Sequence, residues 1–176
     1  ANFYNVLTEL KTVFGPTVCP VVVPVIKDAQ IVSYVNLIEM KAYTYDDNGK
    51  AVEAELPDID MAEKEYRLEG LVAAVSEAVA ETDEALMEKF FEGEAFTQEE
   101  ISHGIHEAMR TGRAMPVFTV SCTNPAGCDL LLEFLKYMPD PTTAAALKAT
   151  DGSGKEVDVA VDPAASLSAF VFRTVA

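Results

Sequence analysis

The chain has 176 residues, 49% of them hydrophobic, with 13 Lys and Arg against 29 Asp and Glu and a formal net charge of −16. That hydrophobicity excludes disorder and allows one sizeable core or two small ones, while the charge opposes direct docking on nucleic-acid phosphates and makes a basic protein the more natural partner. The longest apolar run, Val18 to Ile26, is cut by Pro20 and Pro24 and falls short of the ~20 residues of a membrane span; Asn2 and Phe3 stand where an export signal needs a basic start, so a cytoplasmic protein is expected.

In chain order, Phe3, Val6, Leu7, Leu10 and Val13 keep a helical period from nearly the first residue until Gly15-Pro16, so the chain is expected to open inside a structural unit. Val18 to Ile26, Ile31 to Ile38 and Met40 to Tyr45 read as strands, and Asp47-Asn48-Gly49 as a tight turn into a strand with Val52, Ala54 and Leu56 on one face. From Asp60 the period changes. Leu68, Leu71, Val72, Val75 and Val79 form the stripe of a long helix, Leu86, Met87, Phe90 and Phe91 belong to a second, and Thr97 with Glu100 forms a capping box ahead of Ile101, Ile105 and Met109 in a third. Leu71, Val75, Leu86 and Phe90 should be buried where these helices cover a small, mostly antiparallel sheet.

Pro116 to Val120 then reads as a buried strand, and Gly127 leads into a helix through Leu131, Leu132 and Leu135 that ends before Pro139 and Pro141. An Ala-rich stretch from Thr142 to Thr150, the turn Asp151-Gly152-Ser153-Gly154 and the alternating Val157, Val159 and Val161 open another β element. Ser168 to Val175 reads as one strand without a following partner, so the chain is expected to end in mid-structure.

Several motifs have bland readings that outweigh sharper ones. Gly152-Ser153-Gly154-Lys155 is not a phosphate loop: Ala149 stands where a Gly is required, Glu156 follows the Lys, and a strand rather than a helix comes next. His103 and His106 with Glu99 and Glu107 share a helix, but nothing closes a metal site, and Cys122 lacks a nominated base for nucleophilic work. Cys19, Cys122 and Cys128 form no paired framework and read as reduced thiols. The acidic bias is concentrated: from Glu53 to Glu107 there are 17 Asp and Glu against Lys64, Arg67 and Lys89. Glu69, Glu77, Glu81, Glu84 and Glu88 lie off the apolar stripe and should present one negative surface that steers a basic partner.

Tyr34-Val35-Asn36-Leu37-Ile38-Glu39-Met40-Lys41-Ala42-Tyr43, the run from Glu81 to Glu94 containing Glu84-Ala85-Leu86-Met87-Glu88-Lys89-Phe90-Phe91-Glu92-Gly93-Glu94, and Thr97-Gln98-Glu99-Glu100-Ile101 resemble, in this order, segments of elongation factor G-type translational GTPases. Pro116 to Cys122, Gly127 to Leu132, Tyr137-Met138-Pro139 and Ala169 to Arg173 are similar to the segments that follow. The resemblance implies an α/β (α+β) fragment of a P-loop GTPase-type domain: 1–16 a GTPase-domain helix, 17–113 an inserted subdomain, 114–138 the final strand and helix, 139–165 a linker, and 166–176 the first strand of a β-barrel.

It further implies that Ser121, Cys122 and Thr123 form the guanine-base loop of a parent that uses GTP and Mg, none being expected in the fragment, whose phosphate and Asn-Lys-x-Asp motifs would come earlier. The implied partner is the ribosome, through its basic stalk protein, with no membrane or direct nucleic-acid contact. Val120-Ser121-Cys122-Thr123-Asn124-Pro125 departs from the family's Gly-Ser-Ala-Leu-Lys-Asn, which favours a divergent paralogue. A stand-alone acidic interaction module, and a piece of a tetracycline-protection or release-factor GTPase, are the alternatives.

Overall fold

β1 (Val18–Lys27) is the strand around which the chain is organised, and its first eight residues are all buried. The computed structural model describes residues 2–59, 61, 63–136, 138, 146–169, 171, 174 and 175. β1 pairs antiparallel with β2 (Gln30–Asn36) from Val22 onward, and parallel with β5 (Met115–Phe118) from Val18 to Val22. Pro20 and Pro24 therefore sit in halves of β1 that have a paired strand on one side only. That is how a strand buried along its length tolerates two residues without an N–H. β3 (Lys41–Tyr45) and β4 (Ala51–Ala54) complete a mixed five-stranded sheet in the order β4-β3-β2-β1-β5.

Helices pack on this sheet. α1 (Phe3–Phe14) is capped by Asn2, whose side-chain oxygen accepts from the Tyr4 N–H at 2.9 Å, and it stops at Gly15, φ +78°, followed by Pro16. α2 (Leu68–Ala80) also lies on β1 and buries Leu71, Val75 and Val79, as its periodicity predicts. α4 (Gln98–Arg110) approaches α2 closely, since a Cβ on Gly104 would stand 2.6 Å from Val79 Cγ1. The capping box of α4 is formed: the Glu100 N–H donates to Thr97 Oγ1 at 3.2 Å and the Thr97 N–H to Glu100 Oε2 at 2.7 Å.

α3 (Glu84–Phe91) departs from expectation. It has no fully buried residue; Leu86 and Phe90 are half-buried and Phe91 is 79% exposed. Two turns of helix pack along α2 outside the sheet layer, so its four apolar residues are only partly covered. The apolar face expected on β4 is also largely open, with Val52 and Leu56 exposed, because an edge strand beyond the helices has nothing over it.

Residues 1–137 form one compact unit. The divisions expected at 16 and 113 therefore fall inside this unit, because β5 of the third segment pairs with β1 of the second and α1 of the first packs on β1, whereas the one expected at 138 coincides with its end. α5 (Cys128–Lys136) follows β5.

The second unit, 138–176, contains a hairpin of β6 (Leu147–Thr150) and β7 (Glu156–Val159); β7 is the β element expected after the turn, while its pairing with β6 puts two strands inside the 139–165 segment expected to be a linker. In its turn Asp151 Oδ1 accepts from the Ser153 and Lys155 N–H groups, and Gly154 has φ +84°. The same device closes the β3–β4 turn, where Asp46 Oδ1 accepts from Asn48 and Lys50 N–H and Gly49 has φ +76°. The phosphate-loop lookalike is thus a hairpin turn.

Asp60, Tyr137, Pro139, Pro141, 142–145, Phe170, Phe172 and Arg173, on which other expectations fell, lie outside the described residues. The described residues between Ser168 and Val175 form no strand, and no strand edge among the described residues pairs with them.

Candidate functional site

The loop between β5 and α5 carries Ser121, Cys122 and Thr123. Thr119 anchors its start, donating from both its N–H and its Oγ1 to the Val22 carbonyl at 3.0 Å. The Ser121 N–H donates to the Ala126 carbonyl at 2.9 Å, and the Asn124 N–H to Ser121 Oγ at 3.3 Å. Gly127, φ +80°, closes the loop against Thr119 so tightly that a Cβ there would lie 2.4 Å from the Thr119 carbonyl oxygen. Cys122 and Thr123 are exposed at the tip, where among the described residues their N–H groups find no acceptor. Ser121 is half-buried, with its own amide engaged inside the loop. The turn after β3 leans on this loop: Asn124 Nδ2 donates to the Asp46 carbonyl at 3.1 Å, and an added Cβ on Gly49 would meet Pro125 Cγ at 2.5 Å.

Tyrosines tie the same region together. The Tyr45 hydroxyl donates to Asp129 Oδ1 at 2.6 Å across 84 residues of sequence, and the Tyr43 hydroxyl donates to Glu39 Oε2 at 3.0 Å. Burial, and then the bond to Glu39, push the Tyr43 phenol up to about 12, and burial with the Asp129 bond raises Tyr45 further. Both groups are raised above the ~10 of an unfolded chain, so the stability they contribute is complete below about pH 10 and is lost as pH rises through the folded values. Urea midpoints should hold to about pH 9 and fall by about pH 11, the fall being smaller in Tyr45→Phe. Midpoints flat across that window, or a Tyr45→Phe fall equal to wild type, would contradict this.

Glu69, Glu77, Glu81, Glu84 and Glu88 are all exposed, and among the described residues none takes part in an ion pair. They do not form one uniform surface. Glu77 and Glu81 line a groove between α2 and the end of α1 together with Lys11 and Arg113, and the Arg113 guanidinium donates to the Glu81 carbonyl. Glu84 and Glu88 stand on α3, whose one cation, Lys89, is engaged elsewhere: its Nζ lies 2.8 Å from Glu100 Oε2. That hydrogen bond, then the Thr97 N–H, hold the Glu100 carboxyl down at about 2. Sequence reasoning missed Lys11 and Arg113, which arrive from distant elements, and the exposure of Phe91.

His103 is exposed while His106 turns inward, its ring stacked 4.7 Å from Phe134 with Nδ1 2.6 Å from the Ser102 carbonyl oxygen, so the two imidazoles do not converge. Cys19 is buried in β1, and burial pushes its thiol up to about 12. Cys128 is half-buried at the start of α5. No helix among the described residues is long and apolar enough to cross a membrane.

No family model matches the chain. Among solved structures, a protein from Thermus thermophilus is similar, with 35% identity and a TM-score of 0.64 over 81% of this chain and 21% of that one. The chain thus spans about a fifth of the length of that solved protein.

Proposed function

We propose that the chain is the docking part of an elongation factor G-like ribosomal GTPase, presenting an acidic helical face to the basic C-terminal domain of the ribosomal stalk protein in the cytoplasm. The observation that carries this reading is the row of exposed glutamates on α2 and α3 that take part in no ion pair among the described residues, in a segment whose residues resemble that family. Carboxylates left solvated keep their full field for an approaching cation, whereas paired ones do not.

Two features favour a larger GTPase around it. β5 lies at the edge of the sheet with Met115 exposed and, beyond it in sequence, Leu132 exposed on α5, an arrangement suited to a further strand and helix. The solved relative from Thermus thermophilus is, moreover, several times longer than the matched part.

In such a parent the Cys122 and Thr123 N–H groups would face the guanine carbonyl, and GTP with Mg would supply the hydrolytic chemistry. The chain's own residues fit only that base contact: it holds neither Gly-x-x-x-x-Gly-Lys-Ser/Thr nor Asn-Lys-x-Asp. Calorimetric titration should therefore show the stalk domain binding the chain, more weakly as salt is added, and GTP with Mg giving no saturable heat. Micromolar binding of GTP, or no binding of the stalk domain at low salt, would overturn the reading.

A further inference from the structure

We infer that Phe91 is the apolar anchor of the α3 face, and that the partner surface it selects carries an apolar hollow beside its cations. This rests on the docking reading above and names the residue that gives the contact its lifetime. Glu84, Glu88 and Phe91 are spaced by four and three residues, which places them on one stripe of α3. The stripe faces solvent, with both glutamates exposed and Phe91 79% exposed. The opposite side of the helix carries Leu86 and Phe90, both half-buried, with the Phe90 ring stacked 6.5 Å from Phe96. Two adjacent phenylalanines thus have different surroundings: Phe90 packs between Phe96 and Phe91, whose ring meets it edge-on at 6.1 Å, while most of Phe91 stays open to solvent.

The chain then leaves through Glu92 and Gly93, φ +75°, where an added Cβ would meet nothing within 4 Å. Exposed Glu92 and Glu94 complete an acidic surround.

A single exposed aliphatic residue is ordinary on a protein surface. A phenyl ring presented amid four carboxylates is instead the anatomy of a contact, with an aromatic centre and a charged rim. The two parts act at different stages. Carboxylates act at the range of the Debye length and set the association rate, while a desolvated aromatic acts only after contact and sets the dissociation rate. Anionic surfaces such as nucleic acid or acidic membranes are repelled by the rim, which leaves a basic protein surface as the occupant.

Stopped-flow binding of the chain to the stalk protein's C-terminal domain tests this. Phe91→Ala should raise the dissociation rate about tenfold and leave the association rate within about twofold, with Phe91→Leu recovering most of the loss. Because the side chain is exposed, thermal unfolding should not move. An unchanged dissociation rate in Phe91→Ala, with association still slowed by Glu84→Lys and Glu88→Lys, would overturn the anchor and leave the docking reading standing. Wild-type chain that fails to bind would overturn both.

Discussion

Gly127→Ala should destabilise the first unit by about 3 kcal/mol, whereas Gly112→Ala should cost only about 1 kcal/mol. Both glycines have positive φ, +80° and +73°, so the backbone cost to a residue with a Cβ is nearly the same. Their surroundings decide the difference. At Gly112 an added Cβ meets nothing within 4 Å, while at Gly127 it lies 2.4 Å from the Thr119 carbonyl oxygen, a backbone atom with no flexible side chain to give way. Relieving that clash moves Thr119, whose two bonds to the Val22 carbonyl hold the loop to β1, and Ala126, which is buried with Val21, Val22 and Leu130. Urea denaturation of both variants measures this directly. Equal losses would show that the close approach of loop and helix is unimportant to the fold.

Charge reversal at Glu84 and Glu88 should slow association with the stalk protein's C-terminal domain about tenfold at low salt, and reversal at Glu77 and Glu81 by less. The order follows from the neighbours. Arg113 lines the groove that holds Glu77 and Glu81, donates to the Glu81 carbonyl and offsets part of their field, whereas Lys11 in that groove is paired with Glu65 at 3.7 Å and the single lysine of α3 with Glu100. The wild-type rate should fall as salt is added and converge on that of the variants near about 0.1 M, where the Debye length is ~10 Å. Folding should change little, because these carboxylates are exposed and take part in no ion pair among the described residues. Stopped-flow traces across a salt series give both the size and the order of the effects, and a larger effect at Glu77 and Glu81 would contradict the account.

Local physics was legible in the sequence and distant pairing was not. The Thr97–Glu100 capping box, the buried stripe of Leu71, Val75 and Val79, and the Asp-Gly turns each depend on residues a few positions apart, and all are present. The parallel pairing of β5 with β1 joins residues almost a hundred positions apart, for which periodicity carries no signal, so the pattern alone sets β5 apart from the sheet it completes. On α3 the pattern marks four apolar residues but cannot say how much neighbouring surface exists to cover them; the eight-residue helix beside α2 covers only part, and Phe91 is left out.

The candidate site divides in the same way. That the five glutamates are exposed followed from their places off the apolar stripe, but the cations facing two of them come from α1 and from the segment after α4. The Ser121-Cys122-Thr123 loop was singled out only through resemblance, since nothing in those three residues by themselves announces a base contact.

If α2 and α3 form a surface for a basic protein partner, the amide shifts of the 15N-labelled chain should respond when the stalk protein's C-terminal domain is titrated in. Shift changes should concentrate from Glu84 to Glu94 and along the exposed side of α2, be largest near Phe91 and be reduced by salt. Changes confined to the open edge of β5 and to α5, or no changes at saturating partner and low salt, would contradict it.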